Sequence, residues 1–225
     1  MFSGVKTLLS MRKDIVGIIK EIPRQKLFTY GNVGTLKAEY FKAAKRSFKD
    51  PFVYIILSST GSPMSNLVQF FTQNEFAHTS LAFDRDFETL VSYNSGNGLG
   101  MPGLNPEKLV FFCQKLQAKA MVYRLPATKS QKRRMLNEVK RINMEGSSYN
   151  VLGVLIKRTP RKNSQFCSQF VYNLLQTAHI EYFTKNSCHV EPIDFIEQNH
   201  DGKLQFVDEL CLDELFEMTE AVPRI

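Results

Sequence analysis

Short strand-like segments alternate with helical segments along the middle of the chain, and this alternation constrains the fold more than any other feature. Val53–Ser59 is a run rich in apolar residues between a proline and a Thr-Gly-Ser-Pro turn, which predicts a buried strand. Ala77–Asp84 and Glu88–Asn94 flank a turn at Arg85-Asp86 and predict a hairpin. The pattern therefore predicts an α+β fold, with helices between the strands of a sheet.

The remaining segments extend this pattern. Ala120–Leu125 predicts another strand, and Leu36–Phe48 has the residue spacing of a helix. A second helix, capped by Thr128 or Ser130, is predicted to follow the strand. Ser95–Pro106 contains four glycines and two prolines, so it is expected to be a loop.

The charges divide the chain into a basic part and an acidic end. The net charge is +7, yet the last 36 residues hold ten Asp and Glu against two Lys and Arg. Residues 1–50 are predicted to be a basic helical extension, and residues 51–225 the main domain with an acidic C-terminal segment. Val5–Ile19 has an apolar face and a basic back, which is typical of a helix that covers a core but also of one that lies on an anionic membrane surface. If the extension covers a cleft around Cys167, deleting residues 1–50 should raise the reactivity of that thiol.

Composition excludes several classes of protein. Apolar residues make up 43% of the chain, which excludes wholesale disorder, and no apolar run reaches the ~18–20 residues that a membrane span needs. Charged residues interrupt the apolar stretch near the N-terminus, unlike in a signal peptide. The four cysteines are widely spaced, which favours reduced thiols. We therefore expect a cytoplasmic protein that can be peripheral to a membrane.

Cys167 is the candidate nucleophile. Phe170, Val171 and Leu174 share one face of the helix predicted over Asn163–Leu175, which places Cys167 in the first turn of a buried helix. The backbone N–H groups there lack intrahelical partners and stabilise a thiolate over a thiol. The position is therefore suited to nucleophilic chemistry.

His78 is the candidate base, because it begins a predicted strand in which Ser80 and Ala82 share its face. These small side chains are expected to leave room for a helix to approach. The other histidines, His179, His189 and His200, lie in polar surroundings. His78 and Cys167 are 89 residues apart, so a structural cysteine with an incidental histidine remains open on pattern alone.

Several segments resemble a known family. Ser58–Asp84 resembles the histidine-bearing half of permuted papain-like cysteine hydrolases, the YiiX-like branch of the NlpC superfamily, and Phe166-Cys-Ser-Gln-Phe-Val171 resembles their nucleophile helix. Ser148–Gly153 resembles the aromatic segment before the basic loop, and Glu191–Phe195 the close of the fold. The histidine precedes the cysteine, which is the order of the permuted branch.

The resemblance implies a circularly permuted papain-like fold, in which an antiparallel, barrel-like sheet packs on the nucleophile helix. It also implies a cysteine-dependent hydrolase or acyltransferase that acts on an amide, peptide or acyl-ester bond through a thioester at Cys167. His78 would take the thiol proton and later protonate the leaving group. Small-molecule, peptide or lipid substrates all fit, and no cofactor is expected.

The resemblance further implies a polar side chain that orients the histidine from the next strand. Alternation places Ser92 and Asn94 on one face of that strand. Asn94 is preferred because its amide can fix the imidazole tautomer, with Ser92 as the alternative. That these two residues simply end a strand also remains open.

Two other interpretations remain open. Lys129–Arg134 and Lys157–Lys162 are basic, so the chain can also be a catalytically silent papain-like binding module that contacts an anionic partner or membrane surface. Nucleic acid is not favoured, because no recognised groove-binding element or stacking platform is present. Cys188–Glu191 holds three types of metal ligand, but adjacent residues of an extended chain point apart, so no metal site is expected.

Overall fold

The computed structural model describes residues 30–59, 75–96, 101–109, 119–150 and 162–210. Within these ranges the strands are β1 Phe52–Ser59, β2 His78–Ala82, β3 Val91–Asn94, β4 Gly103–Pro106, β5 Lys119–Pro126, β6 Ser148–Tyr149, β7 Ser164–Gln165 and β8 Gln205–Leu210. The α-helices are α1 Ala38–Arg46, α2 Lys129–Glu145, α3 Cys167–Ala178 and α4 Asp194–Glu197, with single 3-10 turns at Ser47–Lys49 and Ser187–His189.

Six strands form an antiparallel sheet in the order β4-β3-β2-β1-β5-β8. This arrangement confirms the predicted α+β class and its antiparallel sheet. In the described residues the sheet is open, with β4 and β8 at its edges. A separate parallel pair joins β6 to β7.

The expectation that Ser95–Pro106 is entirely loop is wrong, because its last four residues form β4 and pair with β3. Glycine, asparagine and proline are rare in strands, so the local sequence gives no strand signal. Proline is tolerated at the end of this edge strand, where a ladder donor is not needed. Gly103 has a φ of +143°, and a Cβ at this position would lie 2.6 Å from Ser147 Oγ. The strand therefore needs glycine at its first residue.

The main core lies on one face of the sheet. Side chains of β1 and β2 pack there against α3, including Ile55, Leu81 and Phe83 with Phe170 and Leu174. Ala82 instead belongs to a smaller cluster, which places it on the opposite face. The apolar residues of α3 therefore pack on the face with the large side chains, while Cys167, its first residue, interacts with His78 on the face with the small ones. Leu81 and Phe83 pack against α3, because the burial of apolar surface, and not free space, drives the docking of a helix.

The described part of the first 50 residues shares this core. The predicted helix over 36–48 is present as α1, and Leu36, Tyr40 and Ala44 are buried in the main cluster. The helix predicted at Val5–Ile19 lies outside the described residues. No helix in the described ranges combines the length and hydropathy of a membrane span.

Helix α2 is fixed at its start and along its buried face. Thr128, rather than Ser130, caps it in a capping box with Gln131. Lys132 is fully buried, and its Nζ donates to the backbone oxygens of Ser47 at 3.0 Å and Phe83 at 2.8 Å. Burial lowers the pKa of this amine to about 8. Lys132 thus ties α2 to the sheet and to the turn after α1.

Candidate active site

Cys167 is the first residue of α3 and is buried, with 4% of its surface exposed. The preceding Phe166 has extended backbone angles and provides no side-chain cap. The first N–H groups of the helix and the positive end of its dipole therefore act on the thiol, as the sequence predicted.

His78 is the first residue of β2, and its ring interacts with groups from two other elements. Nε2 lies 2.9 Å from Oε1 and 3.2 Å from Oε2 of Glu107. The imidazole also forms a hydrogen bond with the Cys167 thiol. The structure thus brings the two residues singled out in the sequence into contact.

The charges of the site favour a protonated imidazole. Burial alone lowers the pKa of His78, but the carboxylate of Glu107 and then the neighbouring Cys167 raise it well above its ordinary value. Conversely, burial raises the pKa of Glu107, while His78 and hydrogen bonds from Ser80 and Asn94 lower it below its usual range. An imidazolium paired with a carboxylate, next to the Cys167 thiol, is the arrangement that these shifts support.

Glu107 directly follows β4 and is buried on the face of β2 that carries Ser80. Ser80 Oγ donates to Glu107 Oε2 at 2.5 Å, and Asn94 Nδ2 donates to Oε1 at 2.8 Å. The small Ser80 beside His78 therefore leaves room for the carboxylate of Glu107, in addition to the approach of Cys167 to the ring of His78. Ser80 does share the face of His78, as predicted from strand alternation.

Neither predicted orienting residue carries out the predicted contact. Asn94 donates to Glu107, and Ser92 Oγ donates to the backbone oxygen of Thr79 at 2.6 Å, which joins β3 to β2. The group bound to Nε2 is Glu107, which lay outside both predictions. Its only sequence signal is an acidic residue just after the Gly- and Pro-rich segment. That signal has meaning only once β4 is known to be a strand.

Tyr149 completes the surroundings of the thiol. It is buried in β6, and its pKa is raised well above the ordinary value by burial and then by the charges of Cys167 and Glu107. Tyr149 pairs with Gln165, two residues before Cys167. The β6–β7 pair therefore holds a protonated phenol near the start of α3.

The other candidate groups lie elsewhere. Cys188 accepts a hydrogen bond from Gln169 Nε2 at 3.5 Å, and Cys113 and Cys211 lie outside the described residues. Within the described ranges, no three His, Cys, Asp or Glu side chains are grouped to hold a metal ion. In the predicted basic stretch of α2, Arg133 and Arg134 are exposed but Lys132 is buried, so the stretch is not one continuous charged face.

Comparison of the sequence with protein-family models gives no match, and comparison with curated proteins gives no significant match.

Proposed function

We propose that the protein is a cysteine-dependent hydrolase or acyltransferase that acts on an amide, peptide or acyl-ester bond through a thioester intermediate. Cys167 is the nucleophile, His78 the general base and acid, and Glu107 the group that orients and charges the imidazole. One observation carries the proposal: the imidazole of His78 lies between the Cys167 thiol and the Glu107 carboxylate. This is the arrangement of an activated thiol nucleophile.

We also propose that the fold is a circularly permuted papain-like fold. Three features support this proposal: the histidine strand precedes the cysteine helix in the chain, the sheet is antiparallel, and α3 packs on β2 and β3. A fourth feature is that β6, which belongs to the aromatic segment of the resemblance, pairs with β7 just before Cys167.

In the first half-reaction the thiolate of Cys167 attacks the substrate carbonyl carbon, and the carbonyl π electrons move to oxygen. The backbone N–H of Cys167 is one donor to this oxyanion. The protonated hydroxyl of Tyr149 is our candidate for a second donor, because it lies near the thiol. Collapse of the intermediate expels an amine or alkoxide, which takes the proton from His78 and leaves a thioester.

In the second half-reaction His78, now neutral, takes a proton from water or from an acceptor nucleophile. The nucleophile adds to the thioester carbonyl, and collapse releases the acid or the transferred acyl product. The Cys167 thiolate and the protonated His78 are thereby regenerated. Glu107 keeps its negative charge throughout and stabilises each imidazolium that forms.

Alkylation by iodoacetamide tests the proposal in the full-length protein, with mass-spectrometric readout at each cysteine between pH 4 and 9. Cys167 is expected to react below neutral pH faster than Cys188, the internal control, and His78→Ala should abolish this advantage. If Cys167 reacts no faster than Cys188 at pH 6, the chain has no activated nucleophile and the enzyme proposal fails.

A second measurement defines the bond. Aryl esters and aryl amides of short acyl chains are incubated with the wild type and with Cys167→Ala, followed by intact-mass analysis. A mass increase that corresponds to one acyl group, lost on treatment with hydroxylamine at neutral pH, identifies the thioester. An acyl adduct that persists in Cys167→Ala would place the nucleophile elsewhere.

A catalytically silent module that contacts an anionic surface is the second candidate. The exposed Lys129, Arg133 and Arg134 at the start of α2 favour it. It predicts an unreactive Cys167 together with binding to anionic vesicles that weakens as salt rises. Rapid alkylation of Cys167 at pH 6 would exclude the silent form.

A further inference from the structure

The carboxylate of Glu107 ends a line of three asparagine amides. Asn94 Nδ2 donates to Glu107 Oε1 at 2.8 Å, Asn105 Nδ2 donates to Asn94 Oδ1 at 2.9 Å, and Asn32 Nδ2 donates to Asn105 Oδ1 at 3.1 Å. All four residues are buried, with between 2% and 9% of their surface exposed. The line runs from the segment before α1, across β4 and β3, to the carboxylate.

The amides all point the same way. Each one donates toward Glu107, and Asn94 and Asn105 each accept from the amide behind them, so turning one of these two would place two donors or two acceptors together. Backbone groups fix the same orientation: Gly96 N donates to Asn94 Oδ1, and the oxygens of Met101 and Gly103 accept from Asn105. Aligned bonds of this kind polarise one another and strengthen the last bond of the line.

A buried carboxylate needs such donors. Moving a charged carboxylate out of water costs several kcal/mol unless hydrogen bonds and an opposite charge replace the water. Glu107 receives one hydroxyl from Ser80, one amide from Asn94 and the ring of His78. The amide of Asn94 is in turn held by a further oriented side chain, that of Asn105.

We propose that Asn94, Asn105 and Asn32 are positioning residues, which keep Glu107 ionised and directed at His78 by donating along one line. The inference rests on the proposed function, because it assigns these residues a role through Glu107 in activating Cys167. None of the three asparagines contacts the reacting bond in this scheme. Asn94 therefore acts one step further from the imidazole than the sequence suggested.

The line also changes the expectation for residues 1–50. Asn32 belongs to this segment, and its backbone pairs with Ser147, two residues before Tyr149. Deleting residues 1–50 would thus remove one end of the line instead of only uncovering a cleft. We expect that deletion to lower the reactivity of Cys167, whereas removing a lid would raise it.

The titratable groups around Glu107 define what a pH measurement reports. In the described residues, His78 from β2 and Tyr149 from β6 interact with Glu107, and Cys167 from α3 interacts with both of them. Tyr149 stays protonated in the acid range, because burial raises its pKa. Below neutral pH, Tyr149 therefore does not contribute to a carboxyl carbon shift at Glu107.

The test follows the carboxyl carbon of Glu107 by NMR from pH 2 to 7 in the full-length protein. Removing the donor in Asn94→Ala should raise the pKa of Glu107 by roughly one unit, and Asn105→Ala should raise it by a smaller amount. Thr35→Val is the matched control, because it removes a hydrogen bond to Leu104 of β4 without touching the line. Near-UV circular dichroism establishes that each variant is folded, and Asn32→Ala replaces any variant that is not.

The proposal is overturned if the pKa of Glu107 is unchanged in the folded asparagine variants, or if Thr35→Val raises it equally. Alkylation of Cys167 in the wild type is measured in parallel. If the wild-type thiol is unreactive but the pKa of Glu107 rises in the asparagine variants, the proposed enzyme is refuted and the positioning role of the asparagines is retained. If the wild-type thiol is reactive but the pKa of Glu107 is unchanged in the asparagine variants, the positioning role of the asparagines is refuted and the proposed enzyme is retained.

Discussion

Nε2 of His78 lies 2.9 Å from Oε1 of Glu107, although 29 residues separate them in the chain. The carboxylate side chain is only 4% exposed, so both groups have left water to form this pair. Breaking such a pair from one side leaves an uncompensated buried charge, which is more costly than the pair itself is stabilising. The following experiments use this asymmetry and three other local features.

Replacing Glu107 by glutamine removes the charge and keeps the shape. The raised pKa of His78 depends on that charge, so E107Q should lower it and reduce thiolate formation at Cys167. We expect alkylation of Cys167 at pH 6 to slow by about 10- to 100-fold. Glu88→Gln is the control, since Glu88 forms an exposed ion pair with Arg46. Equal rates for wild type and E107Q would show that the carboxylate does not activate the site.

The buried Lys132 makes stability depend on pH in the alkaline range. The folded chain releases this proton near pH 8, whereas the unfolded chain holds it until about 10.5. The unfolded state therefore binds more protons between these values, and the free energy of unfolding rises with pH. Urea denaturation between pH 8 and 9.5 should show a rise of about 1–2 kcal/mol in the wild type relative to Lys132→Met. Parallel curves for the two proteins would contradict the assignment.

A comparison of Gly103 with Gly202 distinguishes the cost of backbone strain from the cost of a steric clash with a neighbouring residue. Both have positive φ, but a Cβ at Gly103 would collide with Ser147, whereas no atom of the described residues lies within 4 Å of one at Gly202. Gly202→Ala should cost about 1 kcal/mol of unfolding free energy, and Gly103→Ala about 2–4 kcal/mol. The two variants are compared by urea denaturation at pH 7. If they cost the same, β4 does not depend on this close approach.

Two neighbouring hydroxyl groups, those of Thr128 and Ser130, lie at the start of α2, but the structure uses only that of Thr128 as the cap. Thr128 accepts from Gln131 N and donates to the Gln131 side chain, while Ser130 lies within the helix and is exposed. Thr128→Ala should lower the thermal midpoint by the equivalent of about 1 kcal/mol, and Ser130→Ala should leave it nearly unchanged. The reverse order of effects would assign the cap to Ser130.

Local patterns predicted most of the framework because burial imposes a period on the sequence. Val53–Ser59, Ala120–Leu125 and the helix predicted over Asn163–Leu175 all have apolar spacing that matches one element type, and the structure has each of them. The helix begins only at Cys167, because Ser164–Gln165 form β7. The thiol in the first turn and the histidine at a strand start followed from the same spacing. Their contact did not follow, because it depends on how α3 crosses the sheet.

The orienting group could not be found in this way. Glu107 is connected to His78 through β4, whose residues Gly103–Pro106 have low strand propensity and gave no signal. An edge strand of this kind forms because its neighbour β3 offers a ladder of hydrogen bonds, which is a tertiary effect. For the same reason, Asn94 was predicted to bind the imidazole of His78, whereas its amide donates to Glu107.

The order of the site residues along the chain has a consequence for biosynthesis. Translation proceeds from the N-terminus, so β1 to β4, with His78 and Glu107, leave the ribosome before α3. A nascent chain that ends before residue 167 contains the proposed base and its carboxylate but no nucleophile. On the proposed mechanism, acyl transfer begins only when α3 has been synthesised and has docked on β2 and β3. A partly made chain therefore cannot acylate itself or its neighbours.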